Sequence, residues 1–140
     1  MIVLDTNVVS ELMRAAPSDL VVDWVDGQVA TDVYLTAITV AELLYGIARL
    51  PDGKRKADLA ERIDEMLTDD FDRRMLPFDE TAAAHFADIV VRRERTGRPI
   101  NMADAQIAAT CRSHGAVLAT RNVDDFADTG ITIDNPWTRH

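Results

Sequence analysis

Three carboxylates stand at places in this chain where α/β proteins keep their chemistry. Asp5 closes the apolar run Met1-Ile2-Val3-Leu4 and is followed by Thr6 and Asn7, residues that bond the local backbone and start helices. Glu42 lies in the first turn of a helical pattern that begins at Thr39, and Asp104 in the first turn of another that begins at Asn101. A further polar position, Asn122, follows the strand pattern Val117-Leu118-Ala119-Thr120, with Asp124 and Asp125 just beyond. Each has an ordinary reading as well. Thr39 with Glu42 fits a capping box, Asp104 suits a helix dipole, and Asp5 alone is a turn former. What they share is placement past strand ends or at helix starts, the edge where open parallel sheets bind ligands.

Acids gathered at such an edge repel one another and lose solvent. Protonation relieves a pair. For three, a hard divalent cation does better, because Mg²⁺ and Mn²⁺ take oxygen ligands and keep waters for substrate phosphates. The chemistry that suits the set is in-line hydrolysis of a phosphodiester, with metal polarising the phosphoryl group and activating a water. Zinc is not indicated, since His85, His114 and His140 lack ligand spacing and read as structural or surface residues. The single cysteine, Cys111, excludes an internal disulfide and sits in an apolar run, as a core thiol does.

The elements that must position these residues alternate between strand and helix. Strands are expected at 1–4, 33–36, 75–78 and 117–120, with a short fifth at 131–133. Val8, Val9, Leu12 and Met13 mark a first helix with Ser10, Glu11 and Arg14 outward, and Ser18 to Gly27 a second. Thr39 to Leu50 is a third. Lys54 to about Asp70 is amphipathic and exposed, and Asp79 caps a long helix to about Thr96 with Ala83, Phe86, Ala87, Val90 and Val91 inside. The helix from Ala105 to His114 is apolar around its girth and belongs in the middle of the structure. The pattern predicts an α/β fold, a parallel sheet of about four to five strands flanked by helices.

Length and composition agree. A chain of 140 residues, 47% hydrophobic and 28% charged, fits one globular domain over 1–140 with a real core. Its net charge of −9 argues against broad adhesion to nucleic acid and leaves room for a basic protein partner. No run approaches the ~20 apolar residues of a membrane span, and no basic leader precedes the first strand, so no membrane contact is expected and the cytoplasm is the default location.

Taken in order, Leu4-Asp5-Thr6-Asn7, Thr39-Val40-Ala41-Glu42-Leu43, Met102-Ala103-Asp104-Ala105 with Ile107-Ala108-Ala109, and Ala119-Thr120-Arg121-Asn122 with Phe126 resemble the PIN-domain family. More narrowly the chain is similar to its VapC/FitB-type toxin ribonucleases, and the ending Asn135-Pro136-Trp137 to the FitB-like branch. The resemblance covers essentially the whole chain. It implies a Mg²⁺- or Mn²⁺-dependent endoribonuclease acting on RNA, usually a homodimer, encoded with a cognate antitoxin that inhibits it. By position, Asp5, Glu42 and Asp104 correspond to acidic metal ligands, and Thr6, Asn7 and Thr120 to polar residues that support them. Many relatives carry Asp where this chain has Asn122, so Asn122 itself, or Asp124 or Asp125 in its place, with Asp125 preferred, is the candidate to complete the metal set. Arg121, beside the site, and Arg98, in the cluster Arg92-Arg93-Arg95-Arg98, are the candidates to grip RNA phosphates.

Two other readings stand against this one. A Mg²⁺-dependent aspartyl-phosphate phosphatase would use Asp5 as nucleophile, but Asn7 sits where a paired general acid is expected and no lysine accompanies Asp104. A catalytically weak or inactive module that binds an antitoxin or RNA would account for Asn122 in place of an acid.

Overall fold

The computed structural model describes residues 1–138, so His140 lies outside the described residues. Five strands form one parallel sheet: β1 (Ile2–Leu4), β2 (Val33–Thr36), β3 (Met75–Leu76), β4 (Val117–Ala119) and β5 (Thr132–Asp134), in the order β3-β2-β1-β4-β5. The six α-helices are α1 (Thr6–Leu12), α2 (Asp19–Asp26), α3 (Ala37–Ala48), α4 (Lys54–Glu65), α5 (Glu80–Arg95) and α6 (Met102–His114). The short fifth strand, expected at 131–133, lies at Thr132–Asp134 and is a full member of the sheet.

Strand periodicity divides the core. Val3 and Leu118 face a layer with Ile89 of α5, and Ile107, Ala108 and Cys111 of α6. Leu4, Leu35 and Ala119 face the other, with Val8, Val9, Val21, Leu43 and Ile63 of α1 to α4. Both sheet faces are covered, which is why the strands read as unbroken apolar runs. Helix α6 is buried along Ala105–Cys111 except at Gln106, as its girth of small and apolar residues predicts. It ends at Gly115 in the left-handed conformation (φ 62°), a turn that lets the Ala116 N–H reach the Cys111 carbonyl.

The chain runs outward from β1 through β2 to β3, then crosses back to place β4 on the other side of β1. That reversal opens a crevice at the carboxyl ends of β1 and β4, the switch point of the sheet. Asp5 and Thr120 are the first residues past those two strands.

Five local expectations need correction. Helix α3 is capped by Thr36, whose side chain accepts from the Thr39 N–H at 3.1 Å, so Thr39 is inside the helix and Glu42 completes no capping box. The buried stripe of α5 is Ala82, Ile89 and Arg93, with Phe86 and Val90 half-buried and Ala83, Ala87 and Val91 exposed. Glu11 does not face outward. It is 7% exposed and accepts from Arg14 Nη1 at 3.2 Å and from the Ser18 backbone N–H at 3.3 Å, tying the α1–α2 turn together. Finally, α4 gives way at Met66–Asp70 to a wider π-helical turn that delivers Phe71 to the core, and β3 stops at Leu76 because Pro77 has no N–H to offer.

Candidate active site

Asp5 is the centre of the crevice and is 4% exposed. Its backbone extends β1 by one bond, N–H to the Ala119 carbonyl at 2.9 Å, and its carbonyl accepts the first helical N–H groups of α1. Both side-chain oxygens are held. Oδ1 accepts from the Thr6 N–H at 2.8 Å and Oδ2 from Thr120 Oγ1 at 2.8 Å, with Asn7 Nδ2 at 3.5 Å. Thr120 is fully buried, and its hydroxyl oxygen also accepts from Asn7 Nδ2 at 3.2 Å and from the Asn122 N–H at 3.0 Å. Asn7 in turn accepts from the Arg121 N–H at 3.4 Å. The expected support residues Thr6, Asn7 and Thr120 are therefore one network around Asp5.

The other acids arrive on separate elements. Glu42, one turn into α3, accepts from Thr6 Oγ1 at 2.7 Å, and that hydroxyl is also hydrogen-bonded to Thr39 Oγ1 at 3.2 Å. Asp104 is restrained twice by the cap of α6: Asn101 Oδ1 accepts the Asp104 N–H at 2.8 Å, while Asn101 Nδ2 donates to Asp104 Oδ2 at 2.9 Å. Asp125 lies in the 3-10 turn Val123–Phe126. These groups feel one another. Burial raises the Asp5 proton affinity; the bonds from Thr120 and Thr6 oppose it, and the charges of Glu42 and Asp125 add to it. Asp104 is pushed up to about 6, first by burial and then by the Asp5 carboxylate, with Asp125 and Glu42 adding and Asn101 opposing. Burial pushes the nearby Cys111 thiol up to about 12, again with Asp5 adding, so it is an inert core group.

Among the described residues no group of three or more His, Cys, Asp or Glu side chains is placed to hold a metal ion by itself. None of the ion pairs among the described residues neutralises Asp5, Glu42, Asp104 or Asp125. An all-oxygen donor set, buried in part and short of positive charge, fits a hard divalent cation that retains waters.

The basic candidates divide. Arg121 is exposed at the rim, its guanidinium stacked 5.1 Å from the centre of the Trp137 ring. Arg98 is exposed but engaged by the 124–128 loop, through the Asp124 carbonyl at 3.4 Å and the Asp128 carboxylate at 3.8 Å. Arg93, read from sequence as one of a phosphate-gripping cluster, is buried and bonds only carbonyl groups. Asn122 is exposed, with its backbone N–H on Thr120. The Arg121–Trp137 stack escaped sequence reading; the signal was present only as the Asn135-Pro136-Trp137 ending.

The fold and site together define an α/β domain with an acidic crevice at the switch point of a parallel sheet. The family model of the PIN domain matches residues 2–131, and the chain belongs to that family. It is 44% identical over 137 residues to the VapC ribonuclease Y4jK of Sinorhizobium fredii, covering 98% of both chains. To the toxin FitB of Neisseria gonorrhoeae it is 45% identical over 137 residues, covering 98% of this chain and 99% of that one. Among solved structures, a FitAB complex bound to an IR36 DNA fragment superposes with a TM-score of 0.94 at 44% identity, covering 100% of this chain and 98% of that one. VapBC-1 of nontypeable Haemophilus influenzae follows at 0.82 and 28%, covering 99% and 100%. Among the described residues no helix is long and apolar enough to cross a membrane.

Proposed function

We propose that this chain, as one domain over 1–140, is the toxin of a toxin–antitoxin pair: a cytoplasmic endoribonuclease that hydrolyses RNA phosphodiester bonds with Mg²⁺ or Mn²⁺ and is inhibited by a cognate antitoxin. The observation that carries this is the geometry around Asp5, where Thr120 and the Thr6 N–H hold both carboxylate oxygens and the Thr6 hydroxyl holds Glu42. The ribonuclease and toxin names of the relatives support it, as do their complexes.

Asp5, Glu42 and Asp104 are the residues to hold the cation, with Asp125 rather than Asn122 as the fourth charge. A bound divalent cation supplies the charge that polarises the phosphoryl group and acidifies the attacking water. The chain's part is orientation. Thr120 and the Thr6 N–H fix both oxygens of Asp5, the Thr6 hydroxyl aims Glu42, and Asn101 aims Asp104. Without a cation the cluster retains a proton on Asp104 near its pKa of about 6, so proton and cation compete for the same oxygens. Arg121, backed by Trp137, presents positive charge at the rim for an RNA phosphate, with Arg98 farther along. Exposed Leu44 (47%) and Tyr45 (66%) on α3 provide apolar surface for a homodimer. The inactive-module reading rests on Asn122 in place of an acid; the charge of Asp125, which raises the proton affinity of both Asp5 and Asp104, favours the enzyme over it.

The test is cleavage of structured RNAs with Mg²⁺, Mn²⁺ or EDTA, beside Asp5→Asn and Asp104→Asn. Metal-dependent cutting that disappears in both variants is expected. Cutting that persists in either, or in EDTA, would overturn the proposal.

A further inference from the structure

Arg93 is the charged group that this reading leaves without a role. It occupies the last turn of α5, is 4% exposed, and takes part in none of the ion pairs among the described residues. Its guanidinium instead donates to three backbone carbonyls. Nε reaches the Arg98 oxygen at 2.6 Å, and Nη1 reaches those of Asp125 at 2.8 Å and Ala127 at 3.0 Å.

Those carbonyls belong to two segments far apart in the chain. Arg98 is in the loop that leads into α6, whose first turn carries Asp104. Asp125 and Ala127 are in and just after the turn Val123–Phe126. Withdrawing a guanidinium from water is costly, and an apolar side chain would fill the same space at less cost. What an apolar filler lacks is direction. A planar fork of donors bonded to carbonyls on two loops fixes one loop against the other. The Arg98 side chain adds an outer tie across the same gap, to Asp124 and Asp128.

We infer that Arg93 is a positioning residue: it clamps the 123–127 turn to the loop before α6, sets Asp125 relative to Asp104, and thereby tunes the affinity of the acid cluster for a divalent cation. The inference rests on the metal-site reading above. Lysine at this position keeps the charge but is a point donor, unable to span both loops in one plane.

Mn²⁺ binding to the full chain, followed by electron paramagnetic resonance, reads the clamp without asking for cleavage. The chains compared are wild type, Arg93→Lys, Asp125→Ala and the double variant. A folded Arg93→Lys is expected to bind Mn²⁺ on the order of tenfold more weakly, the usual scale for a residue that orients a ligand. In the Asp125→Ala background the same change should add less than about twofold, because the clamp acts through Asp125. Unchanged binding in Arg93→Lys, or a full second loss in the double variant, overturns the inference. Should Arg93→Lys fail to fold, the wild type decides by NMR. Its Arg93 Nε–H should exchange slowly and shift with Mg²⁺ together with the Asp125 and Ala127 amides; a signal unmoved by saturating Mg²⁺ overturns the inference. A wild type that binds Mn²⁺ as expected but cuts no RNA ends the nuclease reading and leaves the clamp standing. One that binds no Mn²⁺ ends both.

Discussion

Replacing Asp104 with asparagine asks whether the acids converge without requiring the chain to cut anything. In the folded chain Asp104 holds its proton up to about 6, through burial first and the Asp5 charge second, against an ordinary value of 3.8. A carboxyl whose proton affinity rises on folding stabilises the fold at low pH and loses that contribution as pH climbs from 3.8 to about 6. At about 1.36 kcal/mol for each tenfold change in proton affinity, the gap is worth about 3 kcal/mol. Asp104 is only half-buried, and solvent screening reduces the figure to about 1 kcal/mol. Asparagine keeps the side-chain shape, retains an oxygen for Asn101 Nδ2, and never ionises. In EDTA at neutral pH, Asp104→Asn should therefore be more stable than wild type by about 1 kcal/mol, or roughly 3–6 °C in Tm. The two should converge as pH falls below 3.8, where wild-type Asp104 is neutral in both states. Excess Mg²⁺ should stabilise wild type and leave the variant behind. Urea titrations at acid and neutral pH provide the readings. An Asp104→Asn chain no more stable than wild type at neutral pH without metal would refute the account of a crowded acidic crevice.

Three further outcomes are expected. Thr120→Val removes the donor to Asp5 Oδ2 and strands the Asn7 and Asn122 donors, so urea denaturation should show a loss of about 2 kcal/mol, largely recovered in Thr120→Ser. Thr6→Val frees Glu42 at an exposed contact, so metal-dependent cleavage should fall while Tm shifts by no more than the equivalent of about 1 kcal/mol. Cys111, with its thiol pushed up to about 12 inside the core, should react with a thiol reagent only as fast as the chain unfolds. Rapid labelling of the folded chain would show that α6 is not central.

How far the fold could be read from residues alone depended on whether local patterning or distant partners decide a side chain's place. Asp5, Glu42 and Asp104 were legible because an apolar run that stops on a polar residue marks a strand end, and a capping residue marks a helix start. The start of α3 was misplaced: the capping pattern at Thr39 and Glu42 was taken for the cap, whereas Thr36, at the end of β2, accepts the Thr39 N–H. The supporting bond to Glu42 comes from Thr6, on another helix, and no local rule anticipates it. Glu11 and Arg93 fail for a shared reason. Periodicity assigns charged residues to water, whereas Glu11 meets a turn N–H and Arg93 meets loop carbonyls that appear only after the chain has closed on itself. The pairing of Arg121 with Trp137 likewise depends on β5 returning beside β4.

The bond from Thr120 to Asp5 spans 115 positions of sequence. The central aspartate thus gains the hydroxyl that steadies it only once the chain as far as Thr120 has been made. Any product halted or clipped before β4 has nothing to seat against the far side of β1, and its acids lack the sheet edge that gathers them. For a protein whose proposed target is RNA, the crevice cannot form before β4 has joined the sheet.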